Sequence, residues 1–283
     1  MKKHVFLLLM FASSITVMQA QLQTPAPSPS GKVEQRIGLT DVVVEYSRPS
    51  KKGRVIFGDV VPYDSIWRTG ANAATKITFS DDVNFGGAEV KKGSYALLTK
   101  PGKKSWSFML YPHTSTNFGS YLESDVLPTT ITTEAIEMPK ETDVETFMIG
   151  FDGLSNQGGT LFLLWERTFV PVEIKVNTDK TVEASITKVM AGPSAGDYYS
   201  AASYYYAEKK DLNKALEWIN TSIAKGNEKF WVLRTKSLIQ ADLGDKKGAI
   251  ETATKSLELA KADSNQDYIR MNEASIAEWK KAK

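Results

Sequence analysis

"GSYALLTKPGKKSWSFMLYP", residues 93–112, decides the fold class. Two apolar runs flank Pro101-Gly102, and such a pair around a turn dipeptide predicts a β-hairpin. The same texture extends on both sides. Upstream, "ATKITFSDDVNFGG" (74–87) alternates Ile77 and Phe79. Earlier still, "KVEQRIGLTDVVVEYS" (32–47) places Val33 and Ile37 on one face, turns near Gly38–Asp41, and continues through Val42, Val44 and Tyr46. Downstream, "TTITTEAIEM" (129–138), "VETFMIGFDG" (144–153), "GTLFLLWERTFVPVEIKV" (159–176) and "TVEASITKV" (181–189) complete the series. Short strands at this spacing, split by Gly, Pro, Asn and Asp, predict an antiparallel β-sandwich over residues 32–190. "LFLLW" carries apolar residues at both parities, which predicts a strand buried on both faces or one with a bulge. Pro171 marks a bend or an edge.

"MAGPSAGD" (190–197) closes the β texture. Residues 196–283 then carry an internal repeat with a period of 34, read from Ala215 to Ala249. Asp211 pairs with Asp245, Leu216 with Ile250 and Ser222 with Ser256. Small residues at matched offsets let two helices approach closely. A helix–turn–helix unit of this length is tetratricopeptide-like. The proline that closes such units is missing, with Asn227 and Lys261 in its place. Two repeats and a last helix near Ser264–Lys281 are expected, with an ordinary helical bundle as the alternative. The expected fold class is therefore mainly β plus α: a sandwich, then a helical hairpin array.

The first twenty residues, "MKKHVFLLLMFASSITVMQA", read as a secretory signal. Lys2 and Lys3 precede an apolar run from Val5 to Phe11, and Ala20 is a small residue at a cleavage position. The run is too short to span a bilayer. Export to periplasm or medium is the expectation, and residues 21–31, rich in Pro and Ser, read as an extended leader. The whole chain holds 35 Lys+Arg and 33 Asp+Glu. Without Lys2 and Lys3 the two signs balance, so no basic pull toward nucleic acid is expected. There is no cysteine and only two histidines, of which His113 alone follows the signal. Thiol catalysis, Fe–S clusters and the usual zinc ligand sets are excluded, and no cofactor is implied.

The segment 27–170 resembles a family of secreted bacterial proteins known as a domain of unknown function. The resemblance rests on Ile37-Gly38, Tyr46 with Arg48-Pro49, Gly53-Arg54 and Phe57-Gly58. It continues through Pro62-Tyr63, Trp67 to Asn72, and Gly93 with Tyr95. The resemblance implies export and no assigned activity, and many proteins of that family carry a helical, repeat-like tail. In that pattern an acidic residue often follows the "GAN"; this chain has Ala73.

The candidate ligand-binding residues are Tyr46, Arg48, Arg54, Trp67, Arg68 and Asn72. Trp67 offers a stacking platform for a sugar, and Arg68 and Asn72 offer hydrogen bonds to hydroxyls or a carboxylate. Arg48 and Arg54, with Lys51 and Lys52, gather positive charge that could meet an anion if their loop folds near Arg68. The structural alternative makes Trp67 a cap of the sandwich, pairs Arg68 internally, and has Gly70 and Asn72 turn the chain. Asp81, Asp82 and Asn84 are oxygen ligands within one turn, better read as a plain hairpin turn than as calcium ligands. His113 has no serine elbow or cysteine beside it. In the tail, Tyr199, Tyr205, Trp218 and Trp231 are candidate contacts to a protein partner, or else interhelical packing. The leading expectation is an exported non-catalytic binding protein that takes a glycan or an anionic small molecule. A carboxylate-dependent hydrolase of the cell envelope and an envelope assembly factor acting through the tail are the alternatives.

Overall fold

A computed structural model describes residues 24–190 and 192–281. The signal expected at residues 1–20 lies outside the described residues. The chain divides into two compact units, one ending at Val176 and one beginning at Asn177.

In chain order the first unit contains β1 (Ser30–Ile37), β2 (Thr40–Ser47), β3 (Thr75–Phe79), β4 (Val83–Phe85), β5 (Ala88–Val90), β6 (Gly93–Lys100) and β7 (Ser105–Pro112). A single helical turn, α1 (Gly119–Leu122), follows. Then come β8 (Thr129–Glu134), β9 (Ile136–Glu137), β10 (Val144–Asp152), β11 (Gly158–Glu166) and β12 (Thr168–Val176). One sheet runs β1-β2-β3-β6-β7-β8, and the other β10-β11-β12-β4-β5 with β9 on β12. Every pairing is antiparallel, and the hairpin of residues 93–112 is β6–β7, with Leu97 opposite Leu110. Val44, Ile77, Leu97 and Phe108 of the first sheet share one buried core with Phe147, Leu161, Leu163, Trp165 and Val172 of the second. Each such side chain taken out of water contributes about 1.5–3 kcal/mol.

The strand buried on both faces is not β11, whose residues alternate in burial. Its outward Phe162 lies over Gly150 and against Phe169, with ring centroids 5.3 Å apart, so neighbours on the same face cover it. The irregularity sits in its ladder with β10, where the register shifts between Val144 and Met148. Burial on both faces belongs to β6 and β7 instead. Their outward Ala96, Leu98, Met109 and Tyr111 pack beneath Phe118 and Tyr121, which follow β7 in the chain. Pro171 sits inside β12 rather than at an edge. It falls between the residues that pair with β9 and those that pair with β4, so its missing N–H breaks neither ladder.

Residues 181–189, expected as the last strand, are helical and belong to α2 (Thr178–Val189). Asp179 and Glu183 lie four residues apart on one helix face. Glu183 accepts from the Tyr205 hydroxyl at 2.9 Å, and Asp179 accepts from the Tyr204 hydroxyl. Lys210 reaches both carboxylates at 3.2 Å. These bonds tie the segment to the helices, and the boundary between units moves from 190–196 back to Val176.

The second unit continues with α3 (Ala195–Ala207), α4 (Leu212–Ala224), α5 (Phe230–Asp242), α6 (Lys246–Ala262) and α7 (Gln266–Lys281). The repeat read from the sequence is structural. Asp211 caps α4 through the Lys214 N–H at 3.0 Å, and Asp245 caps α6 through the Gly248 N–H at 2.9 Å. Ser222 donates to the Ala195 carbonyl at 2.6 Å, and Ser256 donates to the Phe230 carbonyl at 2.7 Å. Each hairpin is thus closed by the serine at the equivalent repeat position, bonded to the first turn of its partner helix. Ala215 and Ala249 are fully buried where the helices cross. Among the described residues, no helix is long and apolar enough to cross a membrane.

Candidate functional site

The stretch from Trp67 to Asn72 turns the chain into β3. Thr69 and Asn72 have left-handed backbones, with φ of 55° and 59°. Asparagine tolerates that region better than most residues. At Gly70 the constraint is space: a Cβ would sit 2.8 Å from the Ser47 carbonyl oxygen. Trp67 exchanges backbone hydrogen bonds with Thr99 of β6 at 2.7 and 2.9 Å. The Thr75 hydroxyl donates to the Thr69 carbonyl at 2.6 Å. The corner is therefore fastened to both neighbouring strands.

The candidate side chains in and around it have internal partners. The Trp67 indole N–H donates to the Gly70 carbonyl at 2.9 Å. Its rings stack on Trp165 at 6.0 Å and meet Phe147 edge-on at 5.1 Å, so Trp67 is part of the sandwich core and not an open stacking platform. Arg68 donates to the Asn72 carbonyl at 2.6 Å and lies over the Phe118 ring at 4.8 Å. The Asn72 amide donates to the Ser28 carbonyl at 3.2 Å and the Ser47 hydroxyl at 3.3 Å. Arg48 donates through Nε to the Phe147 carbonyl at 3.1 Å. Arg54 closes its own turn, donating to the carbonyls of Lys51 and Ser50, each at 2.9 Å. The Tyr46 hydroxyl accepts from the Ile149 N–H at 3.0 Å and donates to the Ile149 carbonyl at 3.4 Å, linking the two sheets. The three arginines bond to three different segments and form no common cradle.

Open space lies beside this corner, on the outer face of the first sheet. A cavity of about 570 Å³ is lined by Ser30, Gly31 and Lys32 of β1 and by Glu45, Tyr46 and Ser47 of β2. Ala73, Ala74 and Lys76 close a second side, and His113 and Thr116 a third. Strand register places Lys32 opposite Glu45, and Glu45 opposite Lys76. Lys76 Nζ meets the Glu45 carboxylate at 2.9 Å. That hydrogen bond is the main cause holding the Glu45 carboxyl below its usual range, with the charges of Lys76, Lys32 and His113 acting the same way. Lys32 is paired with Glu34 at 2.8 Å. Among the described residues, the His113 imidazole has no hydrogen bond or ion pair. Of the predicted site residues only Tyr46 lines this cavity, and its hydroxyl is turned into the core. Lys76, Glu45 and Lys32 were legible as outward residues by strand parity; their meeting was not.

The turn at Asp81–Asn84 is internally bonded. Asp82 accepts from Lys91 Nζ at 2.8 Å and the Lys92 N–H at 2.9 Å, and Asn84 accepts from the Gly87 N–H at 3.0 Å. In the helical unit Tyr205 and Trp218 pack edge to face at 4.7 Å. Trp231 packs against Phe230 at 4.7 Å and lines a cavity of about 340 Å³ with Leu259 and Ala262. Tyr199 is half-buried and packs against the helical core.

A family model described as a protein of unknown function (DUF2911) matches residues 28–174. No curated protein and no solved structure matches the chain.

Proposed function

We propose, for a chain that belongs to the DUF2911 family of unknown function, that its sandwich binds a small hydroxylated, sugar-like ligand in the cavity beside Glu45, Lys76 and His113. The observation that carries the reading is the Glu45–Lys76 pair within that cavity. An ionised carboxylate accepts two hydroxyl protons, and an adjacent ammonium donates to the same diol. The register of three paired strands holds both groups, so little ordering is needed on binding. Ser30, Ser47 and Thr116 add hydroxyls, while Gly31, Ala73 and Ala74 leave room. The cavity is within the size range of about 300–1,000 Å³ common for ligand sites. With Tyr46 and Trp67 engaged in the core, recognition rests on hydrogen bonds rather than on ring stacking.

Glu45 is the one carboxylate among the described lining residues. This supports binding over a hydrolysis that needs two carboxylates. The charged start of the chain and its apolar run support an exported protein. The helical unit's part in the reading is contact with a protein partner. Tyr199 and Trp231, both half-buried, are its better candidates, since Trp218 is buried and the Tyr205 hydroxyl is bonded to Glu183.

The test is a thermal-shift screen of the purified protein against neutral sugars and sugar acids. A ligand of the cavity raises the midpoint by mass action. Lys76→Ala and His113→Ala should abolish the rise. Neutral sugars and sugar acids that leave the wild-type midpoint unmoved, or move the variants equally, would refute the reading.

A further inference from the structure

A second cavity in the first unit, of about 500 Å³, is built from loops at one end of the sandwich. It takes Lys51 and Tyr63 from the segment between β2 and β3, and Lys103 from the β6–β7 turn. Glu137, Lys140 and Asp143 come from β9 and the loop after it, and Glu166 and Arg167 from the β11–β12 turn. Four cations and three carboxylates thus face one space.

The carboxylates are all engaged. Asp143 takes both oxygens to Lys51 Nζ, at 2.5 and 2.7 Å. Glu137 meets Arg167 at 2.8 Å, and the same guanidinium donates through Nε to the Met138 carbonyl at 3.1 Å. Glu166 accepts from the backbone N–H groups of Ile56 and Phe57, at 3.0 and 3.5 Å. The side chain of Lys51 is only 19% exposed, so this wall is held in place before any ligand arrives. What remains uncommitted is of one sign. Lys103 and Lys140 have no ion pair, and the Tyr63 hydroxyl no hydrogen bond, among the described residues. Free ammonium groups beside a free hydroxyl, over a wall whose acids are all hydrogen-bonded and outnumbered by the cations of the lining, attract an anion and donate to its oxygens.

We infer that this cavity binds a compact multivalent oxyanion, a phosphate or sulfate group, through Lys103, Lys140 and Tyr63. Lysine suits such a group as a mobile point charge. The site shares no lining residue with the cavity beside Glu45.

The experiment is calorimetric titration of the full chain at low ionic strength, with inorganic phosphate, inorganic sulfate and glucose 6-sulfate as probes. The first two report a free ion, and the third an esterified group. Lys103→Ala with Lys140→Ala should weaken binding about tenfold or more, since two charge-assisted contacts are lost. Both lysines are exposed, so the double variant keeps its fold. Lys104→Ala, an exposed lysine outside the cavity, should leave binding unchanged. Lys76→Ala should also leave it unchanged, which separates this site from the sugar-like site. No saturable binding of any probe up to about 10 mM, or binding equal in the wild type and the double variant, would overturn the inference.

Discussion

Trp67→Ala separates the two readings of the "WRTGAN" corner. A ligand platform loses binding when truncated and leaves the fold intact; a core ring does the reverse. The Trp67 rings lie between 5.1 and 6.3 Å from those of Phe57, Trp106, Phe147 and Trp165. Truncating a buried tryptophan to alanine costs about 3–5 kcal/mol, and the partial exposure of Trp67 places it at the lower end. Losing the bond from its indole N–H to Gly70 adds about 1 kcal/mol. The expected total is about 4 kcal/mol, a large share of a typical stability of 5–15 kcal/mol. Urea denaturation followed by far-ultraviolet circular dichroism measures it. The melting midpoint should fall by roughly 10 °C, at about 2–4 °C per kcal/mol for a chain of this size. Trp67→Phe, which retains a ring in the cluster, should recover part of the loss. A Trp67→Ala variant within about 1 kcal/mol of wild type would show that the indole does not hold the core.

Three further outcomes are expected. Asn72→Gly keeps the left-handed backbone but removes the bonds to Ser28 and Ser47. It should weaken sugar-like ligand binding severalfold at a stability cost of about 1 kcal/mol, measured by calorimetry and urea titration. The folded Glu45 carboxyl titrates below the ordinary 4.5, chiefly because Lys76 bonds it, so its contribution is complete above 4.5 and is lost as pH falls through the lowered value. Ligand affinity should follow the same window, and Lys76→Ala should move the Glu45 titration upward by carboxyl NMR. Asp211→Ala and Asp245→Ala each remove a helix cap at one repeat position and should each cost about 1 kcal/mol. The second should cost more, because Asp245 also accepts from Gln240 Nε2 at 3.0 Å.

The β6–β7 hairpin and the 34-residue helical period were legible because each is written in local spacing. A turn dipeptide between apolar runs, or aspartates and serines at one offset, needs no knowledge of distant residues. The α2 segment was misread because its residues alternate weakly, and its helix is held by Tyr204, Tyr205 and Lys210, which come after it in the chain. Apolar residues at both parities make "LFLLW" read as a strand buried on both faces or one with a bulge. Only the cover supplied by Phe118 and Tyr121 decides which strand is buried twice, and that cover is a tertiary fact. The candidate site failed to show for the same reason. Arginine, tryptophan and asparagine in a loop look alike whether they face a ligand or a backbone carbonyl. Lys32, Glu45 and Lys76 looked like ordinary solvent-facing strand positions until register set them side by side.

The corner and the cavity are nevertheless one construction. Asn72 fastens the turn to Ser47 on β2, and Thr75 fastens it to Thr69. Between them Ala73 and Ala74 form a wall of the cavity, and two residues later Lys76 meets Glu45. Any slip of β3 by one residue would turn Lys76 into the core and Ile77 to solvent, because side chains alternate along a strand. A rigid entry to β3 forbids that slip. The polar residues of the stretch thus serve to fix where an ammonium stands. This accounts for a corner that is rich in binding-type side chains and yet has every one of them internally bonded.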